Sequence, residues 1–306
     1  MTSLCCGRFN SSLAVVCIDP LTKTFAVRQY DLDATLTSGQ AFRWKRHGET
    51  WVGVVANRWV GLRADETSIT AETTEPVVDW TWLTHYLQLE LDLTTVLKTF
   101  PGDPAMRSAV KACRGLRLLR QDPWECLASF ILSSTKQILQ IQQIISLLCE
   151  RYGTPVPAAE GYSATHSFPG PERLAALTES ELRGCKMGFR APYLLSAARA
   201  IAEGGLDLNA LHQLPIEVAR AELLKLEGVG RKISDCVLLF AFGHQAAFPV
   251  DVWITKALRQ LYFPGRKIHL RQLQEFAETH FGPHAGYAQQ YLFHYARLQM
   301  KKTSTT

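Results

Sequence analysis

Two side chains able to do chemistry interrupt an otherwise apolar stretch. Lys232 and Cys236 stand four residues apart within residues 231–242, where Ile233, Val237, Leu238, Leu239 and Phe240 predict a mostly apolar helix stopped by Gly243. Four residues are about one helical turn, so the amine and the thiol share a face. A lysine in the first turn is electrostatically misplaced, because the N-terminal end of the helix dipole disfavours cations. Two readings stand: a lysine whose stem snorkels to water, or an amine held for nucleophilic attack. Asp251 follows 19 residues after Lys232. It sits behind the extended segment 246–250 and opens another helix, either as an ordinary N-cap or as a carboxylate facing the amine. The local pattern favours the cap.

The residues before the lysine form a turn. Gly228 and Gly230 flank Val229, and glycine's tolerance of positive φ permits a tight bend with backbone N–H groups exposed ahead of a helix N-terminus. A second pair four apart, Gln289 and Phe293, lies in a predicted helix over residues 285–300. On spacing alone these read as an exposed polar residue and a core ring. Gly39, between Ser38 and Gln40, reads as a plain loop glycine.

The elements that must hold these groups fall into two classes. From about 11 to 74 the pattern is strand-like, with runs at 13–17, 50–55, 59–62 and 68–71 separated by turn formers. Residues 1–10 are expected to be disordered. Residues 78–99 predict a helix with Trp82, Leu83, Tyr86, Leu87 and Leu91 on its apolar face. Asp122, Pro123 and Glu125 suit the N-cap, N1 and N3 of a helix with a capping box, interrupted at Ser133-Ser134-Thr135 and resuming to about 151. Residues 153–170 are a connector. A second capping box at Thr178 and Glu181, a turn at 188–190, and helices over 191–203, 216–226, 269–281 and 285–300 follow, with Arg297, Lys301 and Lys302 complementing the last helix's C-terminal dipole. The expected class is α+β: an antiparallel β domain with a flanking helix over 11–110, then an all-α region over 111–306.

Composition narrows the partners. With 33 Lys and Arg against 28 Asp and Glu, the formal net charge of +5 is compatible with a polyanion and does not demonstrate one. The eight cysteines form no CxxC pair and several lie in apolar helical patterns, so they are read as reduced, buried thiols of an intracellular protein. No 18-residue apolar run predicts a membrane span, and residues 1–8 lack the pattern of a signal peptide. The compartment is cytoplasm or nucleoid in a prokaryote and nucleus in a eukaryote. No phosphate-cradling nucleotide motif is present.

Gly228-Val229-Gly230-Arg231-Lys232 with Pro249-Val250-Asp251 resembles the helix-hairpin-helix Gly/Pro-Asp signature of DNA base-excision glycosylases. The chain is similar to the 8-oxoguanine branch through residues 38–44, residues 118–123, Gly188-Phe189-Arg190-Ala191, and Tyr287-Ala288-Gln289 with Phe293. The likeness covers nearly the whole chain in the family's order. It implies a bifunctional DNA glycosylase and abasic-site lyase acting as a monomer on damaged double-stranded DNA. Lys232 would be the nucleophile and Asp251 the stabiliser of positive charge on the sugar. Gly39 would offer its carbonyl to the N7–H of the oxidised base, Cys236 and Phe293 would sandwich the base, and Gln289 would meet its Watson–Crick edge. Gly228, Val229, Gly230, Phe189, Arg190, Thr135 and Gln140 would contact DNA. The carbonyls of Leu224, Leu226 and Val229 would hold a structural cation. No cofactor would be needed for chemistry. No cysteine follows Cys236, so the iron–sulfur cluster of some related glycosylases is not expected.

The chain also departs from the family. Thr135-Lys136-Gln137 stands where animal and fungal members have three asparagines, Gln140 replaces a cytosine-reading arginine, and Phe189 replaces a tyrosine wedge, while Arg190 is retained. Trp253 replaces a phosphate-side histidine. These changes imply weaker discrimination of the base opposite the lesion. The competing readings are an alkylated-base glycosylase and a non-catalytic helix-hairpin-helix DNA-binding protein; the presence of both Lys232 and Asp251 argues against the second.

Overall fold

Strands β1 (Thr22–Ala26), β2 (Lys45–His47), β3 (Thr50–Val55), β4 (Arg58–Ala64) and β5 (Ser68–Thr73) form one antiparallel sheet in the order β1-β5-β4-β3-β2 in the computed structural model, which describes residues 21–303. The predicted run at 13–17 and residues 1–10 lie outside the described residues. Registers such as Trp51↔Leu62 and Leu62↔Ala71 place apolar side chains on one face. On β5 the alternation is visible directly: Ile69, Ala71 and Thr73 are buried, and the residues between them are half-exposed.

The helix α1 (Leu32–Thr37), which the sequence pattern did not signal, crosses between β1 and β2. Its N-cap Asp31 accepts from Ala34 N at 2.8 Å. Gly39 therefore follows a helix rather than lying within the sheet. The helix expected over 78–99 is two, α2 (Thr81–Leu87) and α3 (Leu93–Leu97). Gln88 takes a left-handed conformation, φ 53°, that ends the first, and Asp92 caps the second. The sheet, α1 and α2 share a core around Leu36, Trp44, Leu62, Ile69, Leu83 and Leu87. The side chains of α3 and of α4 (Pro104–Ala112) join the helical core instead, through Leu93, Val96, Met106 and Ala109.

The helical region runs through α5 (Pro123–Leu132), α6 (Ile138–Tyr152), a small ribbon of β6 (Pro155–Val156) and β7 (Thr165–His166), α7 (Pro171–Ala175), α8 (Glu179–Arg183), α9 (Ala191–Ala202), α10 (Ile216–Leu224), α11 (Arg231–Phe240), α12 (Val252–Tyr262), α13 (Leu270–His280) and α14 (Ala285–Thr303). Asp122 caps α5 as expected, at 2.8 Å from Glu125 N. Glu125 does not complete a capping box; its carboxylate pairs with Arg43 at 3.2 Å and so ties α5 to the sheet. Thr178 and Glu181 do form theirs. Helix α11 is the centre of the bundle: residues 233–240 are all buried, packed against α5 and α10. Helix α14 closes on it where Gly286 leaves no room for a side chain, an added Cβ lying 2.2 Å from Leu239 Cδ1.

Candidate active site

Helix α11 begins at a bend that glycine alone permits. Gly228 has φ 77°, and a Cβ there would meet Tyr193 Cγ at 2.4 Å. Gly230 is the N-cap, in extended conformation, with open space around it. Val229 is buried between them and its N–H bonds the Leu226 carbonyl at 3.1 Å. The hairpin thus presents a helix N-terminus without a side-chain cap, the arrangement that binds phosphate oxygens.

Beneath the helix start, Arg220 Nε pairs with the buried Asp235 at 2.7 Å and Arg231 reaches the same carboxylate at 3.7 Å. Burial pushes the Asp235 carboxyl up, and Arg220 pulls it down. The Arg220 pair ties α11 to α10, and with it the direction in which Lys232 points, while the Arg231 pair lies within α11 itself.

Lys232 is half-buried. Its Nζ donates to Ser133 Oγ at 3.2 Å and lies 4.9 Å above the Phe130 ring. The Ser133 hydroxyl proton is committed to the Phe130 carbonyl at 2.7 Å, so its oxygen can only accept from the amine. Cys236 is buried one turn on, where burial pushes its thiol up to about 12 despite the opposing charge and hydrogen bond of Lys232. Asp251 does cap α12, accepting from Ile254 N at 2.7 Å through Oδ1. Burial raises its carboxyl above the ordinary aspartate range; the backbone bond to Ile254 and the charge of Lys232 oppose that shift. The amine therefore acts electrostatically on both groups, and the cap bond to Ile254 engages Oδ1 of Asp251.

Gly39 and Phe293 come together. Gly39 has φ 82°, and a Cβ built there would lie 3.0 Å from Ile138 Cδ1, 3.3 Å from Phe293 Cε1 and 3.4 Å from Arg297 Nη1. Gln289, one turn before Phe293, is 4% exposed, and its Oε1 is buried without a hydrogen-bond partner among the described residues. A buried acceptor without a donor is costly, and a ligand N–H would satisfy it. Its neighbour Gln290 donates instead to the Ser38 carbonyl at 3.0 Å.

Phe189 and Arg190 lie at the turn before α9. Phe189 is 53% exposed, whereas Arg190 is 2% exposed beneath it, its guanidinium 4.2 Å from the Phe189 ring. The Arg190 donors go to Ser134 O, Met187 O and, at 2.6 Å, Thr135 Oγ1. Thr135 itself has φ 57°. Gln140 is exposed, and its Oε1 takes the Gln137 N–H at 3.1 Å, capping α6. Leu139, Val252 and Trp253 are exposed apolar side chains near these turns or helix starts, at 70%, 83% and 39%.

Sequence reasoning gave no site role to Ser133, Phe130 or Arg297. Phe130 belongs to a continuous apolar run and carries no local sign that its face meets an amine. Arg297 does not serve the end of its helix; Nη1 donates to the Thr37 carbonyl at 3.1 Å. Among the described residues no cluster of three or more His, Cys, Asp or Glu could hold a metal ion, and no helix is long and apolar enough to cross a membrane. All five cysteines among the described residues are free and buried.

Residues 24–127 match the 8-oxoguanine DNA glycosylase N-terminal domain, and residues 128–282 the HhH-GPD superfamily of base excision DNA repair proteins. N-glycosylase/DNA lyase OGG1 of Arabidopsis thaliana is 31% identical over 290 residues, which cover 89% of this chain and 78% of that one. A probable N-glycosylase/DNA lyase of Methanothermobacter thermautotrophicus is 34% identical over 65% of this chain and 69% of its own. Among solved structures, MBOgg1 in complex with a low-affinity DNA ligand superposes with a TM-score of 0.87 at 32% identity, covering 92% of this chain and 96% of that chain. The Clostridium acetobutylicum 8-oxoguanine glycosylase/lyase, bound to duplex DNA with cytosine opposite 8-oxoguanine, gives 0.84 at 29% identity, covering 92% and 99%.

Proposed function

We propose, since this chain belongs to the 8-oxoguanine DNA glycosylase branch of the HhH-GPD superfamily, that it removes 8-oxoguanine from duplex DNA and then nicks the strand. The observation that carries the reading is the half-buried Lys232 amine, held by Ser133 and coupled to both Cys236 and Asp251 at the start of the hairpin helix.

A base buried in a duplex must leave the stack before its glycosidic bond can be reached. The hairpin N–H groups of Gly228 and Gly230 would grip the backbone, with Val229, whose own N–H is held by the Leu226 carbonyl, shaping the turn between them, and Phe189 would fill the vacated stack. The flipped base would enter between Cys236 and Phe293, with its N7–H on the Gly39 carbonyl and its Watson–Crick edge on Gln289. The unpaired Gln289 Oε1 supports that placement. Lys232, as the free amine, attacks C1′: its lone pair forms the C1′–N bond, and the electrons of the glycosidic bond leave with the base. Asp251 Oδ2 stabilises the cationic sugar while Oδ1 keeps the helix capped. One of the two N–H protons passes to the departing base; the C1′–O4′ bond then breaks as O4′ takes a proton from solvent, leaving the protonated Schiff base, and loss of a C2′ proton to solvent gives an enamine whose electrons expel the 3′ phosphate.

We read the opposite-base preference as weak. Gln140 is engaged as a cap, and Arg190 must give up bonds to Ser134, Thr135 and Met187 before it can read cytosine. We further take the protein to act as a monomer wherever the genome is housed. The carbonyls of Leu224, Leu226 and Val229 would hold a cation between the hairpin and a phosphate, with no role in the chemistry.

The test is borohydride reduction in the presence of an 8-oxoguanine duplex. The wild-type chain should form a covalent adduct and Lys232→Ala should not. An adduct that survives in Lys232→Ala would overturn the assignment of the nucleophile.

A further inference from the structure

Three successive carbonyls, those of Thr37, Ser38 and Gly39, span the end of α1 and the turn after it, and α14 is tied to the first two of them. Arg297 Nη1 donates to Thr37 O at 3.1 Å and Gln290 Nε2 to Ser38 O at 3.0 Å. The third carbonyl is that of Gly39. Helix α14 also carries Gln289 and Phe293, and the Arg297 guanidinium lies 5.5 Å from the Phe293 ring centre. On the other flank the turn is anchored by Gln40, whose Nε2 reaches Thr35 O at 2.9 Å and Arg117 O at 2.8 Å and whose Oε1 accepts from Leu119 N at 2.8 Å. Gln290 is 2% exposed, so its amide cannot exchange Ser38 for water without a larger movement.

We infer that Gln290 and Arg297 are positioning residues that set how far the Gly39 carbonyl stands from the Gln289–Phe293 face, and hence how sharply the pocket separates a purine bearing N7–H from one with a bare N7. The inference rests on the proposed function and deepens it. A carbonyl accepts an N–H at about 2.9 Å and repels a lone pair at the same distance. Both effects weaken quickly if the turn drifts outward by a few tenths of an ångström. Side chains from one helix holding two consecutive carbonyls remove that freedom, and they do so from the element that carries the rest of the pocket.

Gln290→Leu and Arg297→Met remove the donors while keeping much of the volume. Three quantities are measured on the same preparations. The first is the ratio of dissociation constants for G:C and 8-oxoguanine:C duplexes, in a Lys232→Gln background that blocks chemistry. The others are single-turnover release of 8-oxoguanine and cleavage at a preformed abasic site, both with Lys232 intact. Each substitution should lower the binding ratio about tenfold, by loss of one buried or charge-assisted bond. Base release should fall with it, while abasic-site cleavage by Gln290→Leu stays within about twofold. Arg297→Lys, which keeps a donor, should restore much of the ratio that Arg297→Met loses. An unchanged ratio would sink the inference, as would base release and abasic-site cleavage falling in step, which marks a merely structural role. Failure of the unsubstituted chain to release 8-oxoguanine would remove the proposed function, and this inference with it. Variants that discriminate as well as an active parent would remove the inference alone.

Discussion

Asp251 is where helix capping and catalysis compete, and Asp251→Asn separates them. One carboxylate oxygen accepts from Ile254 N at 2.7 Å, and asparagine caps a helix about as well as aspartate. The amide should therefore keep α12 in place and lose only the charge. Burial holds the folded-state pKa of this carboxyl above its ordinary value. The sign follows directly: the folded protein binds the proton more tightly than the unfolded chain, so the associated stability is present below the unfolded pKa and is lost as pH rises through the folded one. At neutral pH the ionised carboxylate is a cost to the fold, and Asp251→Asn should leave the melting temperature unchanged or raise it. Catalysis should move the other way. A preorganised group facing charge that develops in the transition state is worth about 3 kcal/mol, so base release should fall roughly 100-fold or more. Asp251→Ala loses cap and charge together; its melting temperature should drop by about 2–4 °C for a cap worth about 1 kcal/mol. The assay pairs single-turnover release of 8-oxoguanine with thermal melting of the same samples. An asparagine variant that keeps wild-type release would show that the carboxylate is only a cap. One as unstable as the alanine variant would show that the capping argument is wrong.

Base release should also lose its rate as pH falls through the raised Asp251 pKa, an acidic limb lying higher than an ordinary aspartate would give; a single-turnover pH profile flat down to the usual aspartate range would contradict it. Gly39→Ala places a Cβ 3.0 Å from Ile138 and 3.3 Å from Phe293 at φ 82°, costing roughly 1–3 kcal/mol, so release of 8-oxoguanine should fall about tenfold or more, with less effect on cleavage of an abasic site. Excision opposite cytosine and opposite adenine should differ little, because a bidentate reader is worth about 1–3 kcal/mol and Gln140 supplies none; a preference for cytosine above roughly 100-fold would show that Arg190 is released from Ser134 and Thr135 on binding and suffices alone.

What could be read from the residues and what could not divides along the range of the interactions. The local geometry of Lys232, Cys236 and Asp251 was legible because a four-residue spacing, a glycine pair and a cap are statements about one or two turns of backbone; the roles proposed for them came from the family resemblance, not from that spacing. The strand at 68–71 was legible for the same reason, its alternation being imposed by a single buried face, whereas the strand at 50–55 was legible as a short aromatic and β-branched run buried on both faces. The helix over 78–99 was misjudged because its apolar spacing continues across Gln88, and nothing local announces that a glutamine will adopt φ 53° there. Glu125 has the sequence of a capping box, yet Arg43, 82 positions earlier, takes its carboxylate. Arg297 was assigned to its own helix end by a rule that is sound for isolated helices, and a carbonyl 260 residues away takes its donor. In both cases a long-range partner overrode a local preference worth at most about 1 kcal/mol. The same comparison explains why the specificity of this site is harder to read than its chemistry. The amine and carboxylate need only sit on adjacent helix starts, whereas the distance from Gly39 to Phe293 depends on packing between a turn near one end of the chain and a helix near the other. Substitutions that tune the substrate are therefore expected along the contact between α1 and α14, and substitutions that abolish the reaction at the hairpin helix start.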